Sequence, residues 1–281
     1  MKFTQRLAIT YIRTKFKLLS GISTRKTAAA AFQLFCTPYN KSRKQRTPIF
    51  DEAQPLHFKL DEFTVKGFRW NHPQQKKVLI LHGFASCVYN FDKYISNFIK
   101  KGYEVLAFDA PAHGQSSGKT VNAVQYAKTI KKIHELYGPV QAYMGHSFGG
   151  IAISLALEEL PHDSNTKVVF IAPATETSSA VDGAFQMLQL NNKAVRKEFD
   201  EIIYRISGKP TTWFSVRRAV KNIKASILWI HDEDDDVTPL ADALKVKADN
   251  HPNINFVITK GLGHQKIYRD TAVRNMVTEF L

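Results

Sequence analysis

From Phe63 onward the chain alternates short apolar, β-branched runs with stretches whose apolar residues recur every three or four positions, and few folds accept that pattern. The runs are Phe63–Trp70, where apolar and polar residues partly alternate, then Val78–Leu81, Val105–Phe108, Val140–Met144, Val168–Ala172, Ile227–Ile230 and Ile254–Ile258. Between them Tyr94, Ile95, Phe98 and Ile99 share a helical face, as do Ala127, Ile130, Ile133 and Tyr137; Val273, Met276, Val277 and Phe280 do so at the end. Strands buried on both faces and separated by amphipathic helices predict the α/β class, a mostly parallel twisted sheet covered by helices on both sides. Ligands of such sheets gather beyond the carboxyl ends of the strands. Residues just after a strand therefore carry the most weight.

One of those positions holds Gly145-His146-Ser147-Phe148-Gly149, a G-x-S-x-G pattern between an apolar run and a helical one. The pattern suits a serine nucleophile on a sharp strand-to-helix turn, because the glycines let strand and helix pass close together. A serine hydroxyl needs a base within about 3 Å and an acid to orient that base. Of the ten histidines, only His251 and His264 follow the last acidic loop. His251 precedes the final strand and falls at the wrong end of the sheet. His264 follows it, after Gly261-Leu262-Gly263, and is the expected base. Five consecutive acids, Asp232 to Asp236, compete to orient it. Five like charges cannot all be buried, so most are expected in solvent, with one turned inward to accept the imidazole Nδ1 proton.

These motifs, in this order over roughly residues 60 to 281, resemble the α/β-hydrolase superfamily, and specifically its serine esterase and lipase-like members with a small cap. The resemblance implies Asp235 as the acid, since that family's acid loop commonly places it four residues before a proline, here Pro239; Asp234 is the second choice. Asp109-Ala110-Pro111-Ala112-His113-Gly114-Gln115-Ser116 resembles the family's D-x-P-G-x-G-x-S turn, with Ala112 in place of glycine, and implies a structural role. His82-Gly83-Phe84 resembles its oxyanion loop, which implies the backbone N–H groups of Phe84 and Phe148 as oxyanion donors. Phe84 stands where the HGGG type has a further glycine, which disfavours bulky tertiary-alcohol esters.

Most of the net charge of +14 lies at the start of the chain. Residues 1–50 hold eleven Lys or Arg and no acid, leaving 28 basic residues against 25 acidic ones after Phe50. A near-neutral body gives little electrostatic footprint for nucleic acid, and no nucleic-acid partner is expected. In helical projection Lys2, Arg6, Arg13 and Lys17 form one face and Phe3, Leu7, Ala8, Tyr11, Ile12, Leu18 and Leu19 the opposite arc, which Lys15 interrupts. Such a helix either packs on the body or gives residues 1–20 a peripheral contact with an anionic membrane. A second helix is expected over Thr24–Cys36, capped near Ser23 and stopped by Pro38, followed by a basic linker, Lys41 to Arg46. Cys36 and Cys87 have no metal or disulfide spacing, which fits a cytoplasmic setting.

The expected organisation is a basic helical extension and linker (1–50), a hydrolase core (51–172 and 226–281) and a helical cap (173–225). In the cap Val195, Phe199, Ile202, Ile203 and Ile206 recur at helical spacing and are expected to pack over the site. Phe185, Leu188, Trp213 and Phe214 are the candidate acyl-pocket residues. The expected activity is hydrolysis of small-molecule carboxylic esters, of short to medium acyl chain, through an acyl-enzyme on Ser147 without metal or cofactor. C–C bond hydrolases, thioesterases and acyltransferases share the same constellation. A non-catalytic hydrolase-fold binding protein is the reading from another class, and the complete triad speaks against it. Nothing in the sequence specifies an oligomeric state.

Overall fold

A computed structural model describes residues 3–39, 42 and 44–281, with the backbone alone for Phe3–Ala8; the expectations for Lys2, Arg6, Lys41 and Arg43 therefore fall wholly or in part outside the described residues. The chain divides into two compact units, Met1–Thr37 with Glu176–Phe214, and Pro38–Thr175 with Ser215–Leu281.

The larger unit is built on one eight-stranded sheet. Its strands are β1 (Gln54–Leu60), β2 (Phe63–Trp70), β3 (Lys77–Leu81), β4 (Glu104–Phe108), β5 (Ala142–His146), β6 (Lys167–Ile171), β7 (Ser226–Asp232) and β8 (Ile254–Thr259). They lie in the order β1-β2-β4-β3-β5-β6-β7-β8. β1 and β2 are antiparallel to their neighbours and the remaining six run parallel. β3, β4 and β6 read as continuous apolar runs because helices cover both faces of a parallel sheet. β1 is absent from the sequence expectations. It is a mostly exposed edge strand with Pro55 in it, a residue that edges tolerate and centres do not.

The smaller unit joins the N-terminal helices to the insertion. Phe3–Ile22 and Thr24–Cys36 are helices; Ser23 caps the second by accepting from Lys26 N–H. The insertion supplies Thr177–Leu188 and Lys193–Ser207. Val195, Phe199 and Ile203 are buried, whereas Ile206 is exposed. Phe199 meets Phe32 and Phe35 edge-on at 5.5 and 5.9 Å between ring centroids, and Phe185 at 5.3 Å. The apolar stripe of the insertion thus has the Thr24–Cys36 helix as a partner. Arg13 Nε also donates to the Met187 carbonyl at 2.8 Å. Both cysteines are buried free thiols, and no described helix is long and apolar enough to cross a membrane.

Candidate active site

Ser147 sits between the end of β5 and the helix Phe148–Leu157 with φ 53° and ψ −117°, a conformation costing on the order of 1–3 kcal/mol for a residue with a side chain. The turn is fixed on both sides: Ser147 N–H donates to the Ile171 carbonyl of β6, and Ala174 N–H donates to the Ser147 carbonyl. Gly149 has to be glycine, because a Cβ there would lie 2.6 Å from the Leu81 carbonyl oxygen of β3. Phe148 opens the helix, so its N–H is among the donors with no intrahelical acceptor, at the positive end of the dipole.

The sheet delivers the other groups to the same edge. His264 follows β8 and Asp235 follows β7, next to β6 in the sheet. The Ser147 hydroxyl is 3.0 Å from His264 Nε2, and His264 Nδ1 is 2.8 Å from Asp235 Oδ2. All three residues are buried. Asp235 Oδ1 accepts from Val237 and Thr238 N–H, and the Thr238 hydroxyl donates to Oδ2. Burial pushes the Asp235 carboxyl up, but the His264 hydrogen bond and charge and the Thr238 and Val237 amides outweigh it and bring it from 3.8 to about 2. An ionised Asp235 with two backbone donors on one oxygen presents the other, which also accepts from the Thr238 hydroxyl, to Nδ1–H, and this leaves Nε2 bare toward Ser147.

The loop after β3 faces this serine. A Cβ on Gly83 would lie 3.0 Å from that of Ser147, and the Phe84 and Phe148 rings meet edge-on at 5.6 Å. Two buried histidines hold the loop. His82 Nδ1–H donates to the Gly83 carbonyl, while its Nε2 accepts from Ala110 N–H. His113 Nε2 accepts from Ala85 N–H and its Nδ1–H donates to the Pro111 carbonyl. Burial lowers His82 to about 4, against a smaller rise from the Gly83 hydrogen bond, so it stays neutral and keeps this tautomer. Asp109 ties the turn by accepting from Val88 and Gln115 N–H.

Phe185, Leu188, Trp213 and Phe214 lie in the smaller unit, where the first two are buried on the Thr177–Leu188 helix and Phe214 is buried after the turn Thr211–Trp213. They do not belong to the unit that assembles Ser147, His264 and Asp235.

Two residues escaped the sequence reading. The first is Asp232: the acidic run turns two carboxylates inward rather than the single one expected. Asp232 is fully buried and accepts from Gly263 N–H at 2.8 Å, Leu262 N–H at 3.2 Å, Asp234 N–H at 3.0 Å and the Thr259 hydroxyl at 2.6 Å. Burial acts on it most strongly and upward, yet these donors together hold its carboxyl below the usual range. Asp232 therefore moors the turn that carries His264, and Asp234 adds an acceptor for Gly261 N–H. Its position at the end of β7 was the available signal. Asp232→Asn, which keeps one acceptor oxygen, is expected to lower kcat by about 10²-fold with KM little changed, through displacement of His264. An unchanged kcat in a folded variant would remove the mooring role.

The second is His146. Its Nε2–H donates to the His264 carbonyl at 3.0 Å, and its ring lies 4.4 Å from that of Tyr268. Burial first, then the charge of His264, lowers it to about 3 and keeps it neutral. His146 occupies a variable place in G-x-S-x-G, so no pattern could single it out.

Known proteins are similar to this chain in sequence or in fold. A family model described as serine aminopeptidase, S33, matches residues 72–211. The chain is 22% identical over 229 residues to the Mycoplasma pneumoniae protein named "Putative esterase/lipase 2", across 70% of this chain and 85% of that protein. It is 24% identical over 230 residues to the uncharacterized protein YqkD of Bacillus subtilis, across 78% and 75%. Among solved structures, the esterase Pf2001 of Pyrococcus furiosus matches with a TM-score of 0.65 at 21% identity, covering 88% of this chain and 97% of that one. At that identity the likeness is one of fold.

Proposed function

We propose that this chain, which belongs to the α/β-hydrolase superfamily, is a serine hydrolase that cleaves carboxylic esters. The fold and the esterase and hydrolase relatives support a hydrolase, and the series Ser147 Oγ, His264 and Asp235 at 3.0 and 2.8 Å is the observation that carries the finer reading. In the proposed reaction His264 Nε2 takes the Ser147 proton as Oγ attacks the ester carbonyl. The carbonyl electrons move to oxygen, where the N–H groups of Phe84 and Phe148 are the proposed donors. Collapse breaks the bond to the alkoxy group, which leaves with the proton from His264, and water then repeats the sequence on the acyl-enzyme. Short to medium acyl chains are the proposed substrates, with Phe185, Leu188, Trp213 and Phe214 as candidates for acyl selection.

The test is intact-mass labelling with a fluorophosphonate beside turnover of p-nitrophenyl esters of increasing chain length, an acyl thioester, a vinylogous diketone and an alcohol acceptor. One label per chain with turnover of the shorter esters is expected. Activity confined to the thioester or the diketone, or rising steadily toward the longest-chain esters, would replace this reading.

Contact of residues 1–20 with an anionic membrane is a separate proposal, favoured by Tyr11, Leu18 and Ile22, which stand exposed along one helix with Lys15 and Lys17. Anionic vesicles should co-sediment the wild type and release Leu18→Glu/Ile22→Glu; equal binding by both would discard it.

A further inference from the structure

A cavity of about 470 Å³ in the larger unit is lined by none of Ser147, His264 and Asp235. Lys44, Lys93, Arg269 and Arg274 line it, with Tyr94 and Tyr268. Its one acid, Asp92, is occupied by Lys44 Nζ at 3.2 Å. The other three cations form no ion pair among the described residues, and the two arginines spend part of their donors on neutral acceptors. Arg269 donates through Nε and Nη2 to the Tyr268 hydroxyl, and Arg274 donates to the Arg269 carbonyl and the Thr271 hydroxyl. Three positive charges are thus collected at one concavity with N–H groups to spare, although each could have been spread over open surface.

Tyr94 supplies an independent observation. It lines the cavity, is 2% exposed, and its phenol oxygen has no hydrogen-bond partner. Burial holds that phenol well above its usual range, so it keeps its proton and can donate. A buried hydroxyl left unsatisfied is destabilising, and such a group in a native structure points to a partner outside the chain.

We propose that this cavity binds a small phosphorylated organic molecule, its phosphate held by Arg269, Arg274 and Lys93 and by the Tyr94 hydroxyl. A dianion matches three cations that form no ion pair among the described residues, where a carboxylate would match one arginine. The space exceeds what bare phosphate fills and leaves room for an organic body. The proposal is independent of the chemistry at Ser147.

Isothermal titration of the full chain at constant ionic strength tests it, with glycerol 3-phosphate, inorganic phosphate and acetate as probes. Saturable one-to-one binding of glycerol 3-phosphate is expected, tighter than inorganic phosphate and absent with acetate. Arg269→Gln/Arg274→Gln should weaken it at least about tenfold and Tyr94→Phe roughly three- to tenfold, both variants keeping the wild-type near-ultraviolet circular dichroism. Equal binding of both phosphates overturns the organic part of the proposal. Absence of saturable binding, or wild-type affinity in the double variant, overturns the site.

Discussion

Ser147→Ala is expected to lower ester turnover by roughly 10⁵–10⁶-fold and to abolish fluorophosphonate labelling, while the protein stays folded. The size of the effect follows from the geometry. Among the described residues only Ser147 offers a nucleophilic oxygen 3.0 Å from His264 Nε2, so on the proposed mechanism its removal leaves binding and any oxyanion stabilisation but no acyl-enzyme. Alanine keeps a Cβ in the same positive-φ backbone, and the backbone bonds to Ile171 and from Ala174 do not involve the hydroxyl. Melting temperature should therefore move little, which separates a chemical loss from a structural one. Residual labelling of the variant at the wild-type rate would place the nucleophile elsewhere.

The second large effect is expected at Asp235, where asparagine should reduce kcat by about 10⁴-fold. Asparagine can still accept from the Val237 and Thr238 amides, so the loop survives. Its neutral amide, however, no longer fixes Nδ1 as the protonated nitrogen or balances the imidazolium that the proposed attack by Ser147 would form. Asp234→Asn serves as the control: Asp234 is exposed and accepts only from Gly261 among the hydrogen bonds of the described residues, so turnover should stay within a few-fold of wild type. A loss in Asp234→Asn as large as in Asp235→Asn would reassign the acid. The same site makes a statement about pH. Because the folded carboxyl of Asp235 lies near 2 rather than 3.8, its contribution to stability is complete above about pH 4 and is lost as pH falls through 2. Urea titrations of wild type and Asp235→Asn should differ by an acid-dependent component confined to that window.

The places of most strands along the chain, the mostly parallel sheet and the points where loops leave its carboxyl edge were legible in local periodicity. Each element there is a run of neighbouring residues with one hydrophobic period, and burial on both faces leaves a plain apolar signature in β3, β4 and β6. Ser147, His264 and the acidic run could be named for the same reason: each follows a strand, and strand ends are local. Other features depend on residues far apart in the chain. β1 exists because Gln54–Leu60 finds β2 as a partner, although its own sequence is mostly exposed and carries a proline. Asp232 is buried because the backbone of residues 262 and 263 supplies donors thirty positions away. His146 matters through a carbonyl 118 residues on. The Thr24–Cys36 helix announces its boundaries in Ser23 and Pro38, yet its partner, the Phe199 face of the insertion, appears only when both segments fold into one unit. Sequence by itself determined where most strands and helices lie and which residues are the candidates for the chemistry. Tertiary structure decided which backbone donors satisfy a buried charge and which apolar faces meet, because both depend on long-range closure rather than on local propensity.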